Sequence, residues 1–240
     1  MSHAEYKKLL GYKPELRTEK RTMTFQLATN VEVPASVDWV SAGKVTPVKN
    51  QGSCGSCWAF SSTGSIEGAY AVKTGTLKSF SEQQLVDCSF MGSYGNLGCN
   101  GGLMDSAFKY VEANSLDLEG DYPYKGVRGT CSSSAHTGQT KLSSYADVAA
   151  NNIDQLKAAV ALGPVSVAIE ADKPAFQLYK NGIISGTACG TNLDHGVLVV
   201  GYGSEGGKDY WKVKNSWGPT WGESGYVRLG IESGAGVCGV

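Results

Sequence analysis

Apolar residues in the first half of the chain recur at the spacing of helix faces, and in the second half they run together as strands. Over residues 57–73, Ala59, Ile66, Ala69, Tyr70 and Val72 make an apolar stripe closed by Gly75, which predicts a helix. Ser81-Glu82-Gln83-Gln84 reads as a capping box ahead of Leu85 and Val86. Residues 103–113 place Met104, Ala107, Phe108 and Val111 on one helix face. Gly, Ser, Asp and Pro then dominate as far as residue 150, which predicts long loops. A short helix over 152–162 is stopped by Gly163-Pro164. Strands are expected at 165–169, 197–201, 210–214 and 226–229, separated by Gly-rich turns. A helix-rich half followed by a strand-rich half predicts an α+β fold with its ligand site in the cleft between them.

Residues 1–32 break this pattern. Lys7, Lys8, Glu15, Arg17, Glu19, Lys20 and Arg21 crowd together there, and the segment reads as a leader outside the core. The packed part begins at Val33-Pro34-Ala35-Ser36-Val37-Asp38-Trp39, where Pro34 favours an extended entry. No internal repeat or low-complexity tract is visible.

With 240 residues, 41% of them hydrophobic, the chain has room for one large domain or two small ones. A net charge of −1 gives no reason to expect nucleic acid or an anionic membrane as partner. No apolar run reaches the roughly 18–20 residues that span a bilayer. Residues 1–10 lack the apolar stretch of a signal peptide. Seven cysteines make an odd count, and three disulfides with one free thiol suits an oxidising compartment. Seven reduced thiols in a cytosolic protein is the alternative. Cys54-x-x-Cys57 has no second pair at similar spacing and histidines are scarce, which argues against zinc.

Cys57 stands where glycines end and a helical run begins, so its thiol feels the positive end of the helix dipole and a local excess of N–H groups. Such a thiol is a plausible nucleophile if a base reaches it. Of the three histidines, His3 lies in the leader and His136 in a loop; His195, beside the apolar run Val197-Leu198-Val199-Val200, is the candidate by elimination. Asn215, in Lys214-Asn215-Ser216-Trp217-Gly218, offers an amide that can accept the second imidazole N–H, with Trp217 placed to keep water off that bond. Gln51 carries an N–H₂ group for an oxyanion, together with the Cys57 backbone N–H. Two other uses are disfavoured. A redox Cys-x-x-Cys wants a βαβ context that is missing, and a simply packed His195 leaves Cys57, Asn215 and Gln51 unexplained. Asp194, next to His195, points to the opposite face if both lie on one strand, so Asn215 is preferred as the orienting group.

Cys54-Gly55-Ser56-Cys57-Trp58, with His195 and Asn215 downstream, resembles the signature of the papain-like cysteine proteases. Gly98-Cys99-Asn100-Gly101-Gly102-Leu103-Met104, Gly163-Pro164-Val165-Ser166-Val167, Asp194-His195-Gly196 and Asn215-Ser216-Trp217-Gly218 follow in family order, and the likeness is greatest to the cathepsin L branch. It covers residues 33–240. The resemblance implies a two-lobed fold, a helical lobe over about 33–145 and a β-barrel-like lobe over about 146–240, with the active site between them. It implies Cys57 as nucleophile, His195 as general acid and base, Asn215 as its orienter and Gln51 as oxyanion donor. It also implies disulfides Cys54–Cys99, Cys88–Cys131 and Cys189–Cys238, which leave Cys57 free. The implied reaction is peptide hydrolysis through a thioester, with a Cys–His ion pair at mildly acidic pH and no metal or organic cofactor.

Carried over by position, Gly55, Gly101, Gly102, Leu103, Met104, Ala168, Leu193, Asp194, Gly196 and Trp217 would bind substrate. Side chains at Gly101 or Gly102 would block an extended peptide. Adaptable Met104 and small Ala168 imply a roomy apolar pocket two residues before the cut, although Met104 serves equally well as core on its helix. The expected partners are peptide or protein substrates, the chain's own prosegment and inhibitors of the cystatin type. A monomer in the lysosome or outside the cell is expected, and the lack of a blocking insertion favours an endopeptidase. A catalytically silent relative that binds peptides or inhibitors is the alternative. The stretch from Tyr6 to Pro14 resembles the end of a prodomain, and residues 1–32 are expected to run through the cleft and to be removed near residues 31 to 34 during activation. Relatives continue beyond the equivalent of Cys238-Gly239-Val240, so the chain is expected to be a truncated precursor or partial sequence.

Overall fold

The computed structural model describes residues 3–17, 23–25, 33–135 and 137–240; His136 and the expected cleavage region at 31–32 lie outside them. The chain enters through a short helix, α1 (His3–Lys7), and a 3-10 turn at Pro14–Leu16. A two-residue strand, β1 (Val37–Asp38), precedes the central helix α2 (Cys57–Thr74). Gly75 ends α2 in the left-handed conformation, φ 77°, and returns its N–H to the Ala71 carbonyl.

The face of α2 that is buried differs from the expected stripe. Ala69 and Val72 are exposed, whereas Ser61, Ser62, Thr63, Gly64, Glu67 and Gly68 are buried. The helix lies between the two halves and is covered on both sides, so small and polar residues serve it better than bulky apolar ones. A side chain at Gly64 would bring its Cβ within 2.7 Å of Leu198, and one at Gly68 within 2.5 Å of Pro164. Ser61 Oγ donates to the Val197 carbonyl at 2.7 Å, and Ser166 Oγ donates to the Ser61 carbonyl at 2.8 Å.

Helix α3 (Glu82–Cys88) begins with half of the expected capping box: Ser81 Oγ accepts the Gln84 N–H at 2.9 Å. The Gln84 side chain does not reach back. It donates to the Ser115 carbonyl, and Ser81 N–H bonds Asp117 instead. Helix α4 (Met104–Ala113) buries Met104, Ala107, Tyr110 and Val111. Among the described residues from 114 to 150, only a 3-10 turn at Ser133–Ala135 and isolated bridges interrupt the loops. Helix α5 (Ile153–Leu162) is capped by Asn152, which accepts the Gln155 N–H.

Strand β2 (Val165–Ile169), the four-residue helix α6 (Pro174–Gln177) and β3 (Ile183–Ile184) lead to β4 (His195–Glu205), β5 (Lys208–Lys214) and β6 (Tyr226–Gly230). Periodicity cannot flag α6 and β3, which are too short to show a repeat. β4 runs past its predicted end because Gly206 and Gly207, both at positive φ, close a tight hairpin to β5. The six described strands run in the order β1-β4-β5-β6-β3, with β2 paired antiparallel to β4. The barrel-like expectation is corrected here: the sheet is open, because its end strands are two-residue pieces that pair inward only.

Two buried clusters result. One surrounds the sheet and includes Val199, Trp211, Val213 and Leu229; the other lies among the helices and includes Trp58, Phe80, Leu85 and Val111. The leader is not outside them. Tyr6, Leu9 and Leu10 are buried in the first cluster and Tyr12 in the second, because these four apolar side chains fill the cleft while their charged neighbours face solvent. Disulfides join Cys54 to Cys99, Cys88 to Cys131 and Cys189 to Cys238, the pairs implied by the resemblance, and Cys57 is a free thiol.

Beneath the cleft floor, Glu67 of α2 accepts from Thr46 Oγ1 (2.6 Å), Lys49 Nζ (3.0 Å) and the Phe80 N–H (2.9 Å). Lys214 of β5 reaches the same Thr46 from the other half, at 2.8 Å to its carbonyl. Burial opposes the charge on Glu67, but Lys49 and Lys214 outweigh it and hold the carboxyl below its usual range. Removing one member of such a network leaves the others buried and unpaired. Glu67→Ala is expected to cost about 3–5 kcal/mol and Glu67→Gln about 1–3 kcal/mol, measured as shifts in denaturant midpoint.

Candidate active site

Cys57 is the first residue of α2, preceded by Ser56 at the N-cap. Its approach to the strand half is fixed at Gly196, where a Cβ would meet Trp58 Cα at 3.3 Å and Met104 Sδ at 3.1 Å. The Gly196 N–H points at Cys57 Sγ, 3.4 Å away, so the start of α2 and the start of β4 touch. His195 is the first residue of β4 and is wholly buried.

The imidazole is oriented by Asn215, just beyond the end of β5. His195 Nε2 lies 2.8 Å from Asn215 Oδ1, and that oxygen also accepts the Ser216 N–H at 2.8 Å. An oxygen so placed can only accept, so Nε2 carries the proton and Nδ1 holds the free lone pair in the neutral ring. Nδ1 has no hydrogen-bond partner among the described residues. Trp217 lies over the pair, its ring 4.8 Å from the imidazole and tilted by 30°. Asp194 is directed elsewhere, with Oδ1 accepting the Ala171 N–H at 2.8 Å, and burial raises its carboxyl to about 6.

Gln51 is buried and its amide has a defined direction. Ser216 Oγ donates to Oε1 at 2.7 Å, which turns Nε2 toward the Cys54 carbonyl (2.8 Å) and the Leu9 carbonyl of the leader (2.9 Å). The amide expected to receive an oxyanion therefore already holds a carbonyl oxygen.

Residues 6–17 of the leader lie along the cleft. Tyr6 donates to the Ala171 carbonyl and sets its ring edge-on to Trp217 at 5.4 Å. The Gly11 N–H points at Cys57 Sγ at 3.2 Å. The Gly11 carbonyl accepts the Gly102 N–H at 2.8 Å, and Lys13 N–H donates to the Gly102 carbonyl at 3.1 Å, so leader and Gly102 pair in parallel. Tyr12 N–H donates to the Asp194 carbonyl, and its side chain enters the helical cluster with Leu103 and Met104, against which Ala168 and Leu193 pack. Arg17 closes the segment with an ion pair to Asp105 at 2.8 Å.

The glycines differ in what they make room for. At Gly101 (φ 115°) a Cβ would strike the Gly11 carbonyl at 2.7 Å, so this position is open for a chain in the cleft. At Gly102 a Cβ would meet Asn96 Oδ1 and Trp58, which are interior, so packing beneath the cleft demands glycine there rather than access for a ligand. Gly55 approaches the Cys99 and Lys8 carbonyls with similar closeness. Met104 is 7% exposed, packed as core on its helix, and also lines the groove that holds Tyr12. Among the described residues no group of three or more His, Cys, Asp or Glu is arranged to hold a metal.

Sequence patterns missed Ser216, Tyr124 and the leader residues Leu9 and Gly11. Each acts through hydrogen bonds or backbone contacts to distant segments, which leave no local periodicity to detect.

A two-lobed α+β fold with a free cysteine at a helix start, against the start of a strand whose first residue is a histidine held by an asparagine, defines a thiol-dependent class of protein. The family model for papain family cysteine proteases matches residues 33–240, and the chain belongs to that family. Cysteine proteinase RD21A of Arabidopsis thaliana is 51% identical over the whole chain, and cathepsin L of Sarcophaga peregrina is 50% identical over 95% of it. The chain spans about half the length of the Arabidopsis relative (52%) and 70% of the Sarcophaga protein. Among solved structures, digestive procathepsin L 3 of Tenebrio molitor larval midgut is similar, with TM-score 0.88, 44% identity and 100% of this chain covering 77% of that one. The ragweed pollen protease Amb a 11 in its proform gives TM-score 0.92 at 40% identity, with 100% of this chain covering 75% of that one.

With the leader seated, burial opposes the expected ion pair. It pushes the Cys57 thiol up to about 11 despite the N–H groups of Gly196 and Gly11, and it lowers His195 to about 4 despite Asn215. Between those values both groups are neutral, so the thiolate is a small minority near neutral pH. Alkylation of Cys57 by iodoacetamide is therefore expected to be slow near neutral pH while the leader is seated. Once the leader is released, the rate should rise at least about a hundredfold. Mass spectrometry of the Cys57 peptide before and after release measures this, and equal rates would contradict it.

Proposed function

We propose that the chain is a cysteine endopeptidase acting through Cys57, His195, Asn215 and Gln51, and that residues 3–17 hold it inactive. The observation that carries this is the meeting of the α2 start with the β4 start beside a histidine whose second nitrogen is fixed by Asn215 at 2.8 Å. With the cleft vacated, His195 Nδ1 takes the Cys57 proton and the thiolate attacks the substrate carbonyl carbon. The oxygen that gains charge moves against Gln51 Nε2 and the Cys57 N–H. The imidazolium gives its proton to the departing amine, leaving a thioester. Water then loses a proton to the imidazole, attacks the thioester and releases the acid and the thiol.

The apolar pocket of Leu103, Met104, Ala168 and Leu193, occupied here by Tyr12, supports a preference for a bulky apolar residue two positions before the cut. The leader escapes hydrolysis at Gly11 because the sulfur meets that residue's N–H rather than an electrophilic carbon. Three disulfides support maturation in a lysosome-like or extracellular compartment, with leader removal between residues 31 and 34. A monomer open to cystatin-type inhibitors fits the same reading.

Treatment with an epoxide or alkylating thiol reagent, followed by peptide mapping, should label Cys57 selectively. The label should disappear in His195→Ala. Retention of peptide hydrolysis by Cys57→Ala would refute the assignment. Gly11 also tests the leader's role, since any Cβ there would run into the Gly55 carbonyl. A synthetic peptide of residues 3–17 carrying Gly11→Ala should inhibit the released enzyme at least about tenfold more weakly than the unaltered peptide, by about 1.4 kcal/mol or more.

A further inference from the structure

Tyr124 lies in the loop-rich stretch after α4, and its hydroxyl reaches both ends of the segment that carries Gln51 and Cys57. Tyr124 Oη donates to the Gln51 carbonyl at 2.8 Å and lies 2.7 Å from Ser56 Oγ. The phenol has one proton, and a carbonyl can only accept. The proton therefore goes to Gln51, and Ser56 must donate to Tyr124. The result is a directed chain from Ser56 Oγ–H through Tyr124 Oη–H to the Gln51 carbonyl.

Both anchored residues matter. Ser56 is the N-cap of α2, immediately before Cys57, yet its side chain makes no cap bond and is turned to Tyr124 instead. Gln51 is held from the strand half by Ser216, which accepts its backbone N–H at 2.9 Å and donates to its side chain at 2.7 Å. From the helical half, Tyr124 holds its carbonyl. The phenol ring is itself fixed, edge-on to Phe60 of the first turns of α2 at 4.9 Å, and the Tyr124 N–H donates to Glu119 at 3.0 Å. Burial pushes the hydroxyl up to about 12, so it stays protonated across the working range.

We propose that Tyr124 is a positioning residue for the oxyanion site: by bonding both ends of the 51–56 segment, its hydroxyl sets the separation between the Gln51 amide and the Cys57 N–H. This rests on the peptidase reading above and adds a residue to it. The hydroxyl touches no reacting atom, so its loss should alter only steps that need both oxyanion donors at the correct spacing.

Acyl transfer needs those donors, whereas alkylation by iodoacetamide displaces iodide at a saturated carbon and does not. Tyr124→Phe keeps the ring against Phe60 and removes only the hydroxyl. Both rates are measured on the full chain, with the leader released in trans by a trace of the unmodified enzyme. The variant is expected to lose about ten- to a hundredfold in kcat on a fluorogenic peptide, with KM within about twofold. Its Cys57 alkylation rate and the pH profile of that rate should stay within about twofold of the unmodified enzyme. Ser56→Ala in the Tyr124→Phe background should add little, since the two hydroxyls act as one chain.

Unchanged hydrolysis in Tyr124→Phe would overturn the proposal. So would a parallel fall in alkylation, which would mark a general loss of structure. If the unmodified, leader-free chain cleaves no peptide, the peptidase reading fails and this inference fails with it; an active chain indifferent to Tyr124→Phe defeats this inference alone.

Discussion

The close approach of α2 to β4 is the constraint on which the rest depends. The nucleophile candidate and its base are far apart in sequence and sit on different secondary elements, and neither element alone can bring them together. Gly64, Gly68 and Gly196 remove the Cβ atoms that would hold helix and sheet apart, against Leu198, Pro164 and Trp58 respectively. Ser61 and Ser166 then exchange hydrogen bonds across the contact with backbone carbonyls. A bulkier interface could be as apolar and as stable, yet it would leave the sulfur and the imidazole on opposite walls of a wider groove. Catalytic geometry tolerates little error, because displacement of a reacting group by about 1 Å can cost a hundredfold in rate.

The same contact explains why the interface beneath the cleft is polar. Thr46, Lys49, Glu67 and Lys214 form a network in which Thr46 receives Lys214 from the strand half and donates to Glu67 on α2. Apolar residues of equal volume could match its stability, since burying charge is costly even when paired. Directional bonds provide something an apolar contact does not, which is a single relative setting of the two halves. Lys214 immediately precedes Asn215, so fixing one helps to fix the amide that orients His195.

Much of the site was legible because its chemistry is local. Cys57 was visible from the glycines before it and the helical run after it, His195 from the scarcity of histidines, Gln51 and Asn215 from their amide groups, and the order of motifs from the family resemblance. The breakpoints of α2, α5 and β2 followed from Gly75, Asn152 and Gly163-Pro164. What escaped was relational. The leader was expected to run through the cleft, but the burial of its four apolar anchors, Tyr6, Leu9, Leu10 and Tyr12, in the core was not, because they make no strong periodic signal in so short and charged a run. The α2 stripe was misplaced because a helix covered on both sides has no polar face to reveal its orientation. Gly102 looked like a position kept clear for substrate and is instead squeezed from within by Asn96 and Trp58.

On the proposed reading, inhibition by the leader is more than steric. An ion pair between Cys57 and His195 requires two charges in a site that water or a polar substrate helps to solvate. The leader replaces that environment with Leu9, Gly11 and Tyr12, leaving Nδ1 without a partner among the described residues and offering the sulfur backbone N–H contacts rather than a charge. Burial then favours the neutral thiol and neutral imidazole together, since losing either charge removes the main reason to keep the other. The bonds that seat the leader are largely backbone contacts, to Gly102, Asp194 and Gln51, and these are the positions a substrate would need. A segment bound through the substrate's own hydrogen-bonding sites, but with an N–H turned to the sulfur, competes for the cleft and discharges the nucleophile in one step. Release of the leader must therefore restore both access and ionisation, and neither change alone would suffice.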